Sequence, residues 1–322
     1  MKNSNFGKRA KLDTGTFCNC DCCFCYYKHK LHIKTEVDII KQRAIKLKAF
    51  GIDEIDLSGG ESSLHSNWFD ILDYCRSLKF KKISTLSNGW NFSNFNFLQQ
   101  SKEHGLSEIL FSLHGHCFQI HDSIVGRPKS FEKILIAIEN AFKLGIDIRI
   151  NCTVMSDNLN HLGDYAALIN NLSPQQINFL PLNFWGDAEK MPPVKYEQLG
   201  INIRKAIDLI DKKIEINVRY IPFCFMTGYE KYVVGTYQHI YDERDWNIIA
   251  YNVDRLPSGP LSIEDYFKRA HEKRITSYHK YKKCFDCKYF FICDGIEKQL
   301  KGIQETYPIL GEKIIDVLSF RQ

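Results

Sequence analysis

Cysteine is the residue type whose spacing could do chemistry in this chain, which has 322 residues and 12 cysteines. Three of them stand in the frame Cys-x3-Cys-x2-Cys, at Cys18, Cys22 and Cys25, directly after a strand-like run. Three thiolates on one loop can hold three irons of a 4Fe-4S cluster, because iron–sulfur clusters favour thiolate ligands. The fourth iron is then left without a protein ligand, so it could bind and reduce a second molecule.

A second group of cysteines lies near the end of the sequence in the frame Cys-x2-Cys-x5-Cys, at Cys284, Cys287 and Cys293. The aromatic side chains around this group would exclude water and tune the potential of a cluster. Zinc is the alternative metal, since Cys20 and Cys23 together with Cys284 and Cys287 would form two CxxC pairs.

Composition and charge limit the classes of function. The chain has 43 Lys and Arg against 38 Asp and Glu, a net charge of +5, without a concentrated basic stripe. We therefore expect no nucleic-acid partner. No apolar run approaches the roughly 20 residues of a membrane helix, and no secretory signal begins the sequence. We predict a cytoplasmic location without a membrane partner, in which cysteines serve as metal ligands or catalytic groups rather than as disulfides.

Short strand-like runs alternate with amphipathic stretches between the two cysteine groups. The predicted strands are 10–17, 52–57, 82–86, 108–113, 146–155 and 176–182, and the predicted helices are 35–50, 68–78, 130–144 and 159–169. Repeated strand–helix units predict parallel strands with right-handed crossovers. We therefore predict an α/β fold: a partial parallel (β/α)6 barrel over residues 1–215, with its active site at the C-terminal ends of the strands, and a small domain over residues 216–322.

The first cysteine frame, with Phe24 before its last cysteine, resembles the signature of the radical S-adenosylmethionine (SAM) enzymes. The turn Gly59-Gly60-Glu61 follows the second predicted strand and resembles the family's Gly-Gly-Glu motif. This resemblance implies that the turn binds the methionine amino group of SAM, and backbone carbonyls with a carboxylate suit an ammonium ligand. Further contacts to SAM are implied at the ends of later strands, at Ser87, Asn88, Ser112, His114, Asn151 and Leu182.

The second cysteine group resembles the auxiliary-cluster modules called SPASM and twitch, which follow many radical SAM barrels. The full SPASM pattern has seven cysteines, whereas this chain has only Cys284, Cys287 and Cys293 with Cys224 before them. This departure implies one auxiliary 4Fe-4S cluster, with Cys224 as its fourth ligand. The alternative for Cys224 is a buried thiol between two phenylalanines.

The resemblance implies an enzyme, a radical SAM oxidoreductase or tailoring enzyme. Its cofactors would be a SAM-binding 4Fe-4S cluster, one auxiliary 4Fe-4S cluster and SAM itself, with an electron donor such as flavodoxin or ferredoxin. Reductive cleavage of SAM would give a 5′-deoxyadenosyl radical that removes a hydrogen atom from the substrate. No catalytic acid or hydrogen donor is assigned, apart from Cys117 as a candidate thiol donor. We expect His114, His116 and His121 to have loop or hydrogen-bonding roles.

We expect a peptide or another natural product as the substrate, in the maturation of ribosomally made peptides (RiPPs). A dehydrogenase or epimerase acting on a small molecule such as an aminosugar is the alternative. A zinc-binding or redox-sensing interaction protein is a more distant one.

Overall fold

The computed structural model describes residues 7–27, 33–184, 186–236, 254, 262–300, 302 and 304–315. Eight parallel strands form one curled sheet, a half barrel, in which every strand pairs with the next strand in the chain. The strands are β1 (Arg9–Asp13), β2 (Glu54–Ser58), β3 (Lys82–Ser87), β4 (Glu108–Ser112), β5 (Asp147–Val154), β6 (Gln176–Pro181), β7 (Glu215–Arg219) and β8 (Val233–Val234).

Helices connect the strands, and a further short sheet follows them. The helices are α1 (Val37–Ala49), α2 (Trp68–Ser77), α3 (Phe95–Glu103), α4 (Phe118–Val125), α5 (Ser130–Lys143), α6 (Ser156–Leu159), α7 (Leu162–Leu172), α8 (Tyr196–Leu209) and α9 (Ile263–Ser277). Strands β9 (Tyr278–His279) and β10 (Ile296–Glu297) pair antiparallel after α9. Across the described ranges, none of the helices is long and apolar enough to cross a bilayer.

The predicted partial parallel barrel is confirmed, and its six strands are joined by β7 and β8. The first strand is shorter than the predicted 10–17 because Gly15, with a φ of 122°, turns the chain after Asp13. The helix predicted over 159–169 is two helices, α6 and α7, separated at residues 160–161. The domain boundary near residue 215 stays a prediction, and the sheet itself continues to Val234.

The two faces of the curled sheet differ in chemistry. Strand residues that alternate toward the helices are apolar and fully buried, as Ile55, Ile109, Ile150 and Phe179 are. The residues between them are mostly polar, because the period of two along a strand sends neighbours to opposite faces. The helices therefore cover an apolar outer surface, and the inner surface of the half barrel carries polar side chains.

A network of buried ion pairs occupies the N-terminal end of this inner surface. Arg9 on β1 donates to Asp56 on β2 at 2.9 Å and to Glu108 on β4 at 2.6 Å. Arg149 on β5 bonds the same two carboxylates. Burial alone would raise the pKa of Glu108, but the charges of Arg149 and Arg9 hold it below its usual value. These pairs fill the end of the half barrel opposite to the C-terminal edge.

The C-terminal region contacts the sheet beside β6 and α8. The Glu297 carboxylate on β10 accepts a hydrogen bond from the backbone N–H of Phe184, which follows β6. The Gln304 side chain accepts one from the backbone N–H of Tyr196, the first residue of α8. Both contacts are buried, so they attach the segment that carries the second cysteine group to the C-terminal side of the half barrel.

Candidate active site

The loop that carries Cys18, Cys22 and Cys25 is bound by backbone hydrogen bonds to the Gly-Gly-Glu turn. The N–H of Gly60 donates to the carbonyl of Gly15, and the N–H of Glu61 donates to the carbonyl of Phe17, both at 2.9 Å. A Cβ at Gly59 would overlap the Gly15 carbonyl, and one at Gly60 would overlap the Phe17 carbonyl. Glycine is therefore required at both positions because the two backbones lie so close together.

The C-terminal end of α4 binds the other side of the cysteine loop. The N–H groups of Asp21 and Cys23 donate to the carbonyls of Val125 and Ile124, both at 3.0 Å. The guanidinium of Arg127 donates to the carbonyl of Asn19. It also lies 3.5 Å from the centre of the Trp90 ring, a cation–π contact. The loop is thus held from two directions, and sequence analysis identified neither α4 nor Arg127 as its support.

The thiols on this loop have the donor chemistry and surroundings of a metal site. The Sγ of Cys18 accepts a hydrogen bond from the N–H of Cys20 at 3.4 Å. Burial raises the pKa of Cys22, and the nearby Cys18 and Cys25 raise it further. Thiolates that disfavour one another in this way are stabilised by a metal, which deprotonates its thiol ligands. The residues therefore fit an iron–sulfur cluster.

The Glu61 side chain joins the ends of β2 and β3. Its carboxylate accepts hydrogen bonds from the hydroxyls of Ser63, at 2.6 Å, and Ser87, at 3.0 Å, and from the backbone N–H of Asn88, at 2.7 Å. Only 1% of Glu61 is exposed, and burial raises the pKa of its carboxyl although these hydrogen bonds act to lower it. Asn88 in turn donates to the side chain of Asn19 at 2.6 Å. The structure thus brings Glu61, Ser87 and Asn88 together beside the cysteine loop.

His114 follows β4 and lies against the cysteine loop. Its ring is 4.9 Å from that of Phe24, edge to face. Its Nδ1 accepts a hydrogen bond from the N–H of Thr153, and its carbonyl accepts one from Asn158. Burial lowers the pKa of His114 to about 3, so the imidazole is neutral near pH 7 and carries its proton on Nε2.

A row of polar side chains, one hydroxyl and three amides, crosses the inner surface of the sheet. Ser112, Asn151, Asn178 and Asn217 occupy matching register positions on β4, β5, β6 and β7. Asn178 donates to the Asn151 side chain at 2.8 Å, and Asn217 donates to Asn178 at 3.2 Å. Sequence analysis predicted Ser112 and Asn151 but missed the other two. The signal was present, since each is a lone polar residue between two apolar ones in its strand.

Two remaining residues of the predicted site lie on its periphery. Leu182 is 8% exposed just after β6, where its N–H donates to the carbonyl of Val154. Cys117 is half-buried and directly precedes α4, and its carbonyl accepts a hydrogen bond from the N–H of His121. These contacts place Leu182 beside the end of β5 and Cys117 at the start of α4. A role for Cys117 as a hydrogen donor stays a prediction.

The second cysteine group and Cys224 line one cavity. Its walls are otherwise largely apolar and aromatic, formed by Pro222, Phe223, Phe290 and Pro308 among others, and Lys280 also lines it. Burial raises the pKa of Cys224 to about 12, and the thiols of Cys293, Cys287 and Cys284 contribute to the rise.

Two groups lie within hydrogen-bonding distance of sulfurs in this cavity. The N–H of Ile309 donates to the Sγ of Cys287 at 3.4 Å, and the hydroxyl of Thr306 lies 3.3 Å from the Sγ of Cys284. Four thiols in one apolar cavity, with a backbone N–H that donates to the sulfur of Cys287, fit a 4Fe-4S cluster. The structure therefore brings Cys224 to the other three cysteines across about 60 residues of sequence.

The chain is similar in sequence to proteins of a known superfamily. The model of the radical SAM superfamily matches residues 12–169. The human molybdenum cofactor biosynthesis protein 1 is 31% identical over 274 residues, which are 78% of this chain and 42% of that protein. The antilisterial bacteriocin subtilosin biosynthesis protein AlbA of Bacillus subtilis is 29% identical over 167 residues, 50% of this chain and 36% of AlbA. The chain thus spans less than half the length of these two relatives.

A solved structure shows the same fold over nearly the whole chain. It is described as native anSMEcpe with bound AdoMet and Cp18Cys peptide, and it superposes with a TM-score of 0.62. The alignment covers 94% of this chain and 92% of that one at 17% identity. At that identity the likeness extends to the fold alone.

Proposed function

The chain belongs to the radical SAM superfamily, and from that premise we propose that it modifies a peptide. When bound, the cluster and SAM would supply a 5′-deoxyadenosyl radical, formed by reductive cleavage of SAM, that removes a hydrogen atom from the substrate. The observation that carries the proposal is the bonding of the Gly-Gly-Glu turn to the cysteine loop. Those hydrogen bonds hold side by side the residues that would bind the cluster and those that would bind SAM.

The residues of the half barrel would divide the binding of SAM between them. Cys18, Cys22 and Cys25 would hold the cluster. The carbonyls of the Gly59-Gly60 turn would accept hydrogen bonds from the methionine ammonium, and Glu61 would fix that turn through its bonds to Ser87 and Asn88. A rigid, buried support of this kind keeps the reacting groups in place and excludes water.

The inner surface of the sheet would bind the polar nucleoside part of SAM. Ser112 and Asn151 stand at its C-terminal side, and Asn178 fixes the amide orientation of Asn151 by donating to it. His114, neutral near pH 7, offers an N–H rather than a positive charge to a ligand. Leu182 would provide an apolar contact for the adenine.

We further propose that Cys224, Cys284, Cys287 and Cys293 hold one auxiliary 4Fe-4S cluster. All four line the same cavity, which supports the assignment of Cys224 as the fourth ligand. Lys280, which also lines that cavity, would provide a positive charge near the four thiols. An electron donor such as flavodoxin or ferredoxin would supply the reducing electron.

A peptide is the favoured substrate because two of the proteins compared above are described with peptide roles. AlbA is named for the biosynthesis of a bacteriocin, and anSMEcpe is described with a bound peptide. A small-molecule substrate is the second candidate, because the human relative that covers 78% of this chain is named for cofactor biosynthesis. An aminosugar dehydrogenase or epimerase belongs to this same class of alternatives.

The first experiment measures iron, sulfide and zinc in anaerobically purified protein. We expect about eight irons per chain, falling to about four in a Cys18→Ala/Cys22→Ala/Cys25→Ala variant. Reduced wild-type protein should then convert SAM to 5′-deoxyadenosine, and the triple variant should not. Zinc with little iron would contradict the proposal and favour a zinc-binding interaction protein, whereas iron without SAM cleavage would favour a redox sensor.

The substrate class is tested by following deuterium. The reduced protein is incubated with SAM and either peptides deuterated on carbon or deuterated nucleotides and aminosugars. Deuterium in the recovered 5′-deoxyadenosine from the peptide pool alone supports peptide modification. Deuterium from the nucleotide or sugar pool alone would replace the peptide by a small molecule and leave the radical chemistry intact.

A further inference from the structure

Three side chains outside the site described above converge at the C-terminal edge of the sheet. His116 lies on the loop between β4 and α4, His161 lies between α6 and α7, and Asp164 is in the first turn of α7. One ligand atom from each residue lies within 4.8 Å of the others. Sequence analysis expected only a loop or hydrogen-bonding role for His116. His116 and His161 are 45 positions apart in the sequence, so the sequence does not indicate that they lie close together.

The spacing of these atoms is wider than a hydrogen bond and close to that of ligands around a metal. The Nε2 of His116 is 3.9 Å from the nearer carboxylate oxygen of Asp164, and the Nδ1 of His161 is 3.8 Å from it. Hydrogen bonds of this type are about 2.7–3.2 Å long. Tetrahedral ligands of zinc, each about 2.0–2.2 Å from the ion, stand about 3.4 Å from one another. The two nitrogen–oxygen distances exceed that spacing by about half an ångström. The three ligand atoms all lie within 4.8 Å of one another, so movements of about 1.4 Å or less would bring them to that spacing.

Within the described part of the chain, His116 has no hydrogen bond that would explain the position of its ring. Its Nδ1 is buried without a partner, and its Nε2 is aimed toward the Asp164 carboxylate at a distance too long for a bond. The rings of His116 and His161 are 5.3 Å apart and tilted by 32°, so they do not stack face to face. Two imidazoles are thus directed at one carboxylate without a bond between any of them.

We propose that His116, His161 and Asp164 bind a zinc ion, with water completing the coordination. Two imidazole nitrogens and one carboxylate oxygen suit Zn²⁺, whereas Mg²⁺ and Ca²⁺ prefer oxygen ligands alone. The side chains are 24%, 48% and 67% exposed, so the ion can enter and leave directly from solvent. None of the three residues takes part in the proposed binding of SAM or iron, so this site stands or fails independently of that function.

A bound ion would join two segments that support His114. His116 is two residues from His114, and Asn158 in α6 donates to the His114 carbonyl at 2.8 Å. Zinc would therefore tie the loop after β4 to the junction of α6 and α7, on both sides of that hydrogen bond. The His114 ring, in contact with Phe24, would be held more firmly at the cysteine loop.

The test titrates Zn²⁺ into anaerobic protein whose cysteine sites have been loaded with iron and sulfide. Competition with a coloured chelator gives stoichiometry and affinity, and zinc X-ray absorption gives the distance to the ligand atoms. We expect one Zn²⁺ with nitrogen and oxygen at about 2.0–2.1 Å and no sulfur at about 2.3 Å. His161→Ala and Asp164→Asn should each weaken binding by about 100-fold or more, since even indirect changes at zinc sites cost 10–100-fold.

His104→Ala is the matched control. His104 is also partly exposed and lies 2.8 Å from a carboxylate, that of Asp73, but with no second histidine in that ion pair. Its replacement should leave zinc affinity unchanged. His161 and Asp164 are exposed, so their variants should fold, which iron content and circular dichroism can verify. Sulfur among the zinc ligands, unchanged affinity in both variants, or no bound zinc would each overturn the proposal.

Discussion

The backbone N–H of Asn88 donates a 2.7 Å hydrogen bond to the buried carboxylate of Glu61. This bond joins the turn after β2 to the turn after β3, and Asn88 continues the connection to Asn19 on the cysteine loop. The end of each of these strands is therefore positioned by its neighbour rather than by its own turn alone. A change at Glu61 should therefore affect both the proposed SAM site and the cysteine loop.

Glu61→Gln should weaken SAM binding by about ten-fold or more. A Gln side chain has one acceptor oxygen in place of two, so an N–H or O–H that now donates to Glu61 would face an amide donor. Leaving one such buried group unsatisfied costs about 1–3 kcal/mol. Equilibrium dialysis with labelled SAM measures the affinity, and Glu139→Gln, on the exposed face of α5, is the control. Equal affinity in both variants would mean that Glu61 has no part in SAM binding.

Gly60→Ala should destabilise the protein and reduce its iron content. The added Cβ would overlap the carbonyl of Phe17, so the two backbones would have to separate, at a cost of about 1–3 kcal/mol. Gly163→Ala in α7 is the opposite case, because its Cβ would only touch Leu209 at 3.8 Å. That change should stabilise the helix by about 0.5–1 kcal/mol. Thermal unfolding with iron analysis measures both, and a neutral Gly60→Ala would contradict the close approach.

Cys224→Ala should remove a ligand from the proposed auxiliary cluster. In the background of the Cys18/Cys22/Cys25 triple alanine variant, we expect iron to fall from about four to about three or fewer per chain. The matched control is Cys75→Ala, which removes a buried thiol from α2 in the apolar core. Electron paramagnetic resonance records the accompanying change of cluster type. An unchanged spectrum with four irons would assign the fourth ligand to another residue.

Glu297→Gln should stabilise the protein at alkaline pH. Burial raises the pKa of Glu297 from 4.5 to about 7. A raised carboxyl pKa means that the folded state holds its proton more tightly than the unfolded state. Stability therefore falls as pH rises between about 4.5 and 7 and stays reduced above that range, by about 3 kcal/mol at most. Gln keeps the acceptor for the Phe184 N–H and carries no charge.

Thermal unfolding at pH 5 and pH 8 tests this prediction. The variant should unfold at a higher temperature than the wild type at pH 8, with a smaller difference at pH 5. Glu264→Gln is the control, because Glu264 is exposed in the first turn of α9. Equal gains at both pH values would show that the charge of Glu297 is not the cause.

Short-range patterns made much of the site predictable. Cys18, Cys22 and Cys25 lie within eight residues, and this spacing indicates metal ligation. The role of the consecutive Gly59, Gly60 and Glu61 came from their resemblance to the family's motif. Short apolar runs between amphipathic stretches likewise identified six strands, and the family resemblance pointed to Asn151 on the fifth. Finding the strands needs only the local periods of helix and strand.

Contacts between distant segments were out of reach of such patterns. The carbonyls of Ile124 and Val125 that hold the cysteine loop are backbone atoms, which leave no mark in residue type. Cys224 was assigned to the second cysteine group only through the resemblance to auxiliary-cluster modules, because nearly 70 residues separate it from Cys293. The convergence of His116 with His161 depends on the register of β4 beside β5. In each case the missing information is tertiary geometry.

The buried pair Arg9–Glu108 limits how far the strands can separate at the N-terminal end of the half barrel. These residues stand on strands three positions apart, about 14 Å along a flat sheet at the usual strand spacing, yet their side chains meet at 2.6 Å. The pair therefore connects β1 and β4 directly across the curve of the sheet and fixes the curvature at the N-terminal end. Widening that end would separate buried charges, at about 3–5 kcal/mol for a broken pair. Uncharged Ser112 and Asn151 lie toward the opposite end, so the buried charges that fix the curvature of the base stand apart from the residues of the proposed SAM site.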